Sequence, residues 1–352
     1  MSNYANEKKS PFTVTTDPRL DFRIRNDPSL KEIMDEEKTK KAQAELPTGK
    51  SLKDIVLRLK AMEELCAKSG VVRAGKGWES MEGVERKTVK IGGMDKNIVE
   101  ADVYTPSSGD ISGTVVFFHG GGFCMYTKAS PVYVRAAKEI CRVGLRVVVP
   151  DFRSSYEHPF PAQLHDCYSA LLWAADKFGP VVLFGDSAGG TLICAAALFA
   201  KRRGELSAIK GVWALDAAIY GCFPDERFPS IQYYEGGYGL TIQGAQELCQ
   251  IYSGRVNENS NPLAWPGQAA AEELKGLPPH MIHVNEADML RDENKEYYRK
   301  LIAAGVNARY MMVGGTTHDA DLFYGLVPEL TVSLAYNLKV FAQTPAQDIS
   351  RT

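Results

Sequence analysis

Val181-Val182-Leu183-Phe184-Gly185-Asp186-Ser187-Ala188-Gly189-Gly190 runs a short apolar segment straight into Gly-x-Ser-x-Gly, and an alanine-rich helical pattern at 191–202 follows at once. A strand that turns directly into a helix presents the serine hydroxyl at the helix N-terminus, where the positive end of the dipole favours developing negative charge. The turn is tight enough that the positions two residues before and after the serine admit no bulky side chain, and here they are Gly185 and Gly189. Gly-x-Ser-x-Gly alone is a pattern that chance supplies. Its weight comes from the strand before it and the helix after it.

Outward from this point, short β-rich runs recur at 88–91, 98–104, 114–118, 145–149, 181–184, 212–215, 281–284 and 309–313, predicting eight strands. The first two are separated by the hairpin-type break Gly92-Gly93-Met94-Asp95, and most later ones by helical patterns such as 132–141, 163–178 and 191–202. Strands alternating with helices imply an α/β fold: a mostly parallel sheet covered on both faces, with the antiparallel pair at one edge. One interval breaks the rhythm. Between Ala217 and Pro279 lie more than sixty residues holding Phe223, Phe228, Tyr233, Tyr234, Tyr238 and Trp265, far more than one crossover needs. N-terminally, 30–44 and 52–68 carry apolar residues at helical spacing, in the second case Ile55, Leu57, Leu59, Met62 and Leu65. The expected organisation is a helical cap segment at 1–85 and an α/β domain at 86–345, with a cap insertion at about 218–278.

Composition narrows the partner. The chain has 352 residues, 45% of them apolar and 24% charged, with a net charge of −2 and no long run of like charge, which excludes a nucleic-acid footprint. Seven scattered cysteines without a C-x-x-C pair argue against a disulfide framework and against a zinc site, so no metal is expected. The N-terminal residues lack a secretory signal pattern, and the longest apolar stretch, 188–200, falls short of the roughly 18 residues that a membrane span requires. The expectation is a cytoplasmic protein acting on a small molecule.

His119-Gly120-Gly121-Gly122-Phe123 directly follows the third strand. Consecutive glycines let a loop turn its N–H groups toward a developing oxyanion, so Gly121, Gly122 and the amide of Ala188 are the candidate donors. A flexible connection or a phosphate cradle is the bland alternative, but neither G-x-G-x-x-G nor a Walker lysine follows. A serine hydroxyl needs a general base, and histidine is the natural one near neutral pH. In sheets with this kind of serine turn the chain order is Ser, acid, His, which leaves His280, His283 and His318 of the six histidines. His280 and His283 flank or lie within the seventh strand and read as packing residues, whereas His318 follows the eighth in Gly314-Gly315-Thr316-Thr317-His318. Of the acids past the seventh strand, Asp288 sits a few residues beyond its end, and Asp292 already opens the next helix as a capping residue. Asp216, ending the sixth strand, is the alternative acid.

Together these residues resemble the hormone-sensitive-lipase-like carboxylesterases of the α/β-hydrolase superfamily, over roughly residues 87–340. The carriers are His119-Gly120-Gly121-Gly122-Phe123, Asp151-Phe152-Arg153 with Glu157-His158-Pro159-Phe160-Pro161-Ala162, Gly185-Asp186-Ser187-Ala188-Gly189-Gly190, and Asp288-Met289-Leu290-Arg291-Asp292-Glu293. The resemblance implies the α/β-hydrolase fold with a helical cap, a Ser187–Asp288–His318 triad, an oxyanion loop, no cofactor, and a monomer or homodimer. The aromatic insertion and Cys124-Met125-Tyr126 suggest an apolar acyl or alcohol pocket of limited size, which best fits a short- or medium-chain ester or a lactone. Phe123, Cys124, Tyr126 and Asp186 are the candidate substrate-binding residues, although Cys124 also reads as a small buried side chain. This chain departs from the family pattern in three places. Ser154-Ser155-Tyr156 stands where Leu-Ala-Pro is usual, Met289 where proline is, and Asp319-Ala320 where Gly-Phe usually follows the histidine. Asp319 puts a carboxylate beside the base and is expected to raise its pKa. Two other readings remain: a receptor on the same scaffold, as in related hormone receptors that lose a triad member, and a hydrolase of amides, carbamates or acetylated natural products.

Overall fold

The computed structural model describes residues 47–221, 223–235, 240–253 and 260–344; the helical pattern at 30–44, Tyr238 and Cys222 lie outside them. All eight expected strands form one sheet in the order β1-β2-β4-β3-β5-β6-β7-β8. They are β1 (Val84–Gly92), β2 (Ile98–Pro106), β3 (Thr114–Phe118), β4 (Arg146–Asp151), β5 (Val181–Asp186), β6 (Ile209–Leu215), β7 (His280–Ala287) and β8 (Ala308–Thr317). β2 runs against both its neighbours, and every other pair is parallel. β1 starts four residues before the apolar signal because Glu85, Arg86 and Lys87 are exposed on an edge strand. Such polar residues give no hydrophobic period to read.

The central strands are buried on both faces, so alternate residues feed two cores. Val115 and Phe117 of β3 pack with α2 (Pro131–Arg142) and α7 (Pro328–Gln343) through Val132, Ile140, Leu334 and Leu338. Val116 and Phe118 pack on the other side with α3 (Ala162–Phe178), α4 (Ser187–Arg203) and α6 (Arg291–Ala303) through Leu164, Leu192 and Leu301. Sandwiching fixes the height at which each strand ends, and the loops that matter leave from the C-terminal ends of β3, β5, β7 and β8.

A third cluster lies above that end of the sheet. Helix α1 (Leu52–Ala74) buries Ile55 and Leu59 against Cys124 and Met125 of the glycine loop and against Leu248 and Ile251 of α5 (Ile242–Ser253) in the long insertion. Ser51 caps α1 by accepting from the Asp54 N–H at 3.2 Å, and the Arg58 guanidinium Nε donates to Glu247 Oε1 at 2.9 Å across the two helices. Leu57, which the sequence reading placed on the apolar face, is 46% exposed. Two residues turn a helix through about 200°, so Leu57 points away from the stripe that starts at Ile55.

Replacing Phe117, fully buried between the two sheet neighbours, with Ala is expected to lower unfolding free energy by about 3–5 kcal/mol, while Leu57→Ala is expected to stay within about 0.5 kcal/mol. Urea unfolding of the two variants measures the contrast.

Candidate active site

Ser187 is the first residue of α4 and takes φ 50°, a strained value for a residue with a side chain. Its neighbours make that possible. A Cβ on Gly185 would fall 2.5 Å from the backbone of Gly189, one on Gly189 would fall 1.9 Å from the Phe118 carbonyl, and one on Gly190 would fall 2.7 Å from Ala217 Cβ. The elbow is thus wedged between the ends of β3 and β6, and three glycines are a steric requirement of that wedge.

The glycine loop is held from below by Asp186. This wholly buried carboxylate accepts the Gly120 N–H at 3.0 Å and the Tyr133 O–H at 2.9 Å. Burial raises its pKa well above the carboxylate range. Asp186 does not line the cavity, and its contacts are those of a buttress for the loop rather than of a substrate contact. Beyond the glycines, Ser155 donates its N–H and O–H to the Phe123 carbonyl, each at 3.0 Å, and the Ser154 O–H donates to the Cys124 carbonyl at 3.0 Å. The two serines that depart from the family pattern therefore fasten the loop. Cys124 also stays out of the cavity. Its thiol is buried and pushed up to about 12, as suits the packing reading. Phe123 stacks on Tyr252 at 3.7 Å and meets Trp265 edge-on, so aromatic rings of the insertion brace the same loop.

His318 follows β8 directly. Its Nδ1 lies 2.8 Å from Asp288 Oδ2, and Asp288, buried at the end of β7, accepts the Leu290 N–H on its other oxygen at 3.0 Å. Asp216, the alternative acid, is differently engaged. It accepts the Asn285 N–H at 2.8 Å, the Asn285 side-chain amide at 2.6 Å and the Asp319 N–H at 2.9 Å, tying the loop after β8 to the end of β6. His280 and His283 are buried, against the Pro278 carbonyl and between Trp213 and Asp321, respectively.

Asp319 takes φ 57°, and its Oδ2 lies 3.2 Å from His318 Nε2. That nitrogen is the one a serine proton would reach, and among the described residues no hydrogen bond joins Ser187 to His318. Burial pulls the imidazole down, but the carboxylates of Asp288 and Asp319 outweigh it and push its pKa up to about 10. Asp216, His318 and Asp319 also bring one potential metal-ligand atom each within 4.8 Å of one another. The oxygens of Asp216 and the imidazole nitrogens already have the partners described above.

Ser187, Ala188, Gly121, Gly122, His318, Phe123 and Tyr126 all line a single cavity, roofed by Met62, Phe223, Leu240 and Leu248 from α1 and the insertion. Asp288 stands behind His318, outside the lining. Sequence reading missed Tyr133, Ser154 and Ser155 as loop supports, because their partners are set by the fold and no local pattern marks them. It also missed Arg73, from the last turn of α1, which lines the cavity.

The model of the alpha/beta hydrolase fold family matches residues 115–322. An arylesterase of Saccharolobus solfataricus is 29% identical over 226 residues, 61% of this chain and 71% of that protein. The gibberellin receptor GID1B of Arabidopsis thaliana is 26% identical over 242 residues, 64% and 66% of the two chains. Among solved structures, a brefeldin A esterase described as a bacterial homologue of human hormone sensitive lipase superposes with a TM-score of 0.77 at 30% identity, over 90% of this chain and 92% of that one. This chain belongs to the α/β-hydrolase fold family, among its hormone-sensitive-lipase-like carboxylesterases. No helix among the described residues is long and apolar enough to cross a membrane.

Only a neutral imidazole can accept a proton, so hydrolytic kcat/KM is expected to rise with pH toward about 10. Asn tolerates the left-handed backbone at 319, and Asp319→Asn removes one of the raising charges. A pH–rate profile of that variant should show the rise moved to lower pH by about one unit or more. Stability runs the other way. The raised pKa of His318 contributes stability that is fully present below about 6.5 and is lost as pH climbs through about 10.

Proposed function

We propose that the chain hydrolyses short- to medium-chain carboxylic esters, lactones included, through an acyl-enzyme on Ser187. The observation that carries this reading is the convergence on one cavity of a serine held at φ 50°, the Gly121–Gly122 backbone, and His318 backed by Asp288 at 2.8 Å. In this reading Ser187 Oγ attacks the ester carbonyl while His318 Nε2 takes its proton. The amides of Gly121, Gly122 and Ala188 receive the oxyanion, and the intermediate collapses as His318 returns the proton to the leaving alcohol. Water then repeats the sequence on the acyl-enzyme and frees the acid. Asp288 keeps Nδ1 protonated and the ring oriented, as a positioning residue. Asp319 must release Nε2 for the first step, by rotation about its own side chain or by taking up a proton.

The same proposal assigns α1 and the insertion to a cap. Its apolar roof favours acyl or alcohol groups without bulk, and relatives named as esterases support the reaction class. The receptor relative gives a second reading, a binding protein on the same scaffold. The serine, histidine and acid read here as a triad would have no task in such a protein, which favours the enzyme.

Hydrolysis of p-nitrophenyl acetate, butyrate, octanoate and palmitate, with a chelator present, tests it. The native protein should turn over the shorter esters fastest, and Ser187→Ala should lose on the order of 10⁴-fold or more in kcat. Equal inertness of both proteins would sink the enzyme reading and direct attention to a tightly held apolar ligand.

A further inference from the structure

We propose that Arg73 is a specificity-determining residue that selects esters carrying a carboxylate at the end of the molecule remote from the scissile bond; this rests on the esterase reading above. Arg73 lies in the last turn of α1 and lines the same cavity as Ser187 and His318. Its guanidinium lies over the Phe323 ring at 4.5 Å from the centroid. Among the described residues that side chain makes no hydrogen bond and no ion pair within 4.0 Å, whereas the guanidinium of Arg58 on the same helix is held by Glu247 and two carbonyl groups.

The surroundings make this cation conspicuous. Met62, Met125, Tyr126, Leu322 and Phe323 give that side of the cavity an apolar wall. A planar cation with five N–H donors stands beside this wall, and an oxyanion brought to it gains charge-assisted, bidentate hydrogen bonds. The contact with the Phe323 face restrains the guanidinium, which lowers the entropy cost of forming those bonds. The acid on the cavity wall, Asp319, faces His318 Nε2 with Oδ2 at 3.2 Å, while its Oδ1 has no hydrogen-bond partner and its N–H is held by Asp216. No ion pair within 4.0 Å joins Asp319 to Arg73 among the described residues, although the guanidinium is near enough to favour the charged form of that carboxylate.

A purely structural role is the competing account. A cation in the last helical turn complements the macrodipole, and the ring contact would add packing. That role acts on every substrate alike, whereas a specificity role acts on charge.

Matched ester pairs separate the two. On the acyl side the pair is mono-p-nitrophenyl glutarate and p-nitrophenyl pentanoate; on the alcohol side it is para-acetoxybenzoate and its methyl ester. The native protein should prefer the carboxylate member of at least one pair in kcat/KM. Arg73→Gln should lower that ratio by roughly tenfold or more, chiefly through KM, and Arg73→Lys should keep part of it. Should the glutamine variant not fold, inhibition of the native protein decides: glutarate should bind roughly tenfold tighter than glutaramide. Absence of preference in both pairs, equal losses for charged and neutral esters, or equal inhibition by the two glutaryl compounds would overturn the role of Arg73 while leaving the esterase reading intact. Failure of the native protein to hydrolyse p-nitrophenyl pentanoate, or equal hydrolysis by Ser187→Ala, would instead remove the esterase reading and this inference with it.

Discussion

The Phe118 carbonyl at the end of β3 sits where a side chain on Gly189 would have to go, 1.9 Å from its Cβ. That close approach is the constraint on which the site depends. It brings the first turn of α4 against the strand from which the glycine loop departs, so Ser187, Ala188 and Gly121–Gly122 share one cavity. A side chain at 189 would push the helix away and separate Ser187 from the glycine loop. The serine's positive φ is the other half of the same geometry, a local strain held in place by two packed cores.

Around that wedge the chain spends buried carboxylates on architecture. Asp186 fastens the glycine loop, Asp216 fastens the loop after β8, and Asp288 orients His318. Each accepts N–H groups that would otherwise be buried without partners, which is how a desolvated acid becomes tolerable. Asp319 is the exception, since its Oδ1 has no partner and its Oδ2 faces the base. His318 is held between two acids, so the proton affinity of its imidazole is high.

Much of this was legible beforehand for identifiable reasons. The elbow and the glycine loop are local: the residues that make the shape are neighbours in the chain, and glycine spacing is a direct trace of steric crowding. His318 and Asp288 were reachable through strand ends and chain order. The expectation for Asp319 rested on adjacency alone, which already places its charge near the ring. Asp186 was less readable, because its position beside Ser187 says nothing about which way the side chain points. An extended backbone at 186 turns it down into the sheet, away from the cavity. Leu57 was misplaced because a list of apolar residues was taken as a stripe, without the angle that two residues subtend. Arg73 left no trace, since a basic residue at a helix end is ordinary.

Sequence alone determined the alternation of strands and helices, the serine elbow, the glycine loop and a short list of candidate bases and acids. These follow from periodicity, glycine sterics and the order in which strands deliver their loops. Tertiary structure alone decided which of Asp288 and Asp216 meets the imidazole, which residues brace the glycine loop, and that a cation from the N-terminal helix faces the cavity. Those are contacts between separate segments of the chain, such as Asp288 with His318 at a separation of 30 residues, Asp186 with Gly120 at 66, and the cavity wall that Arg73 shares with His318. Their partners are fixed by how the sheet and its roof close in three dimensions, and no local pattern in the chain carries that information.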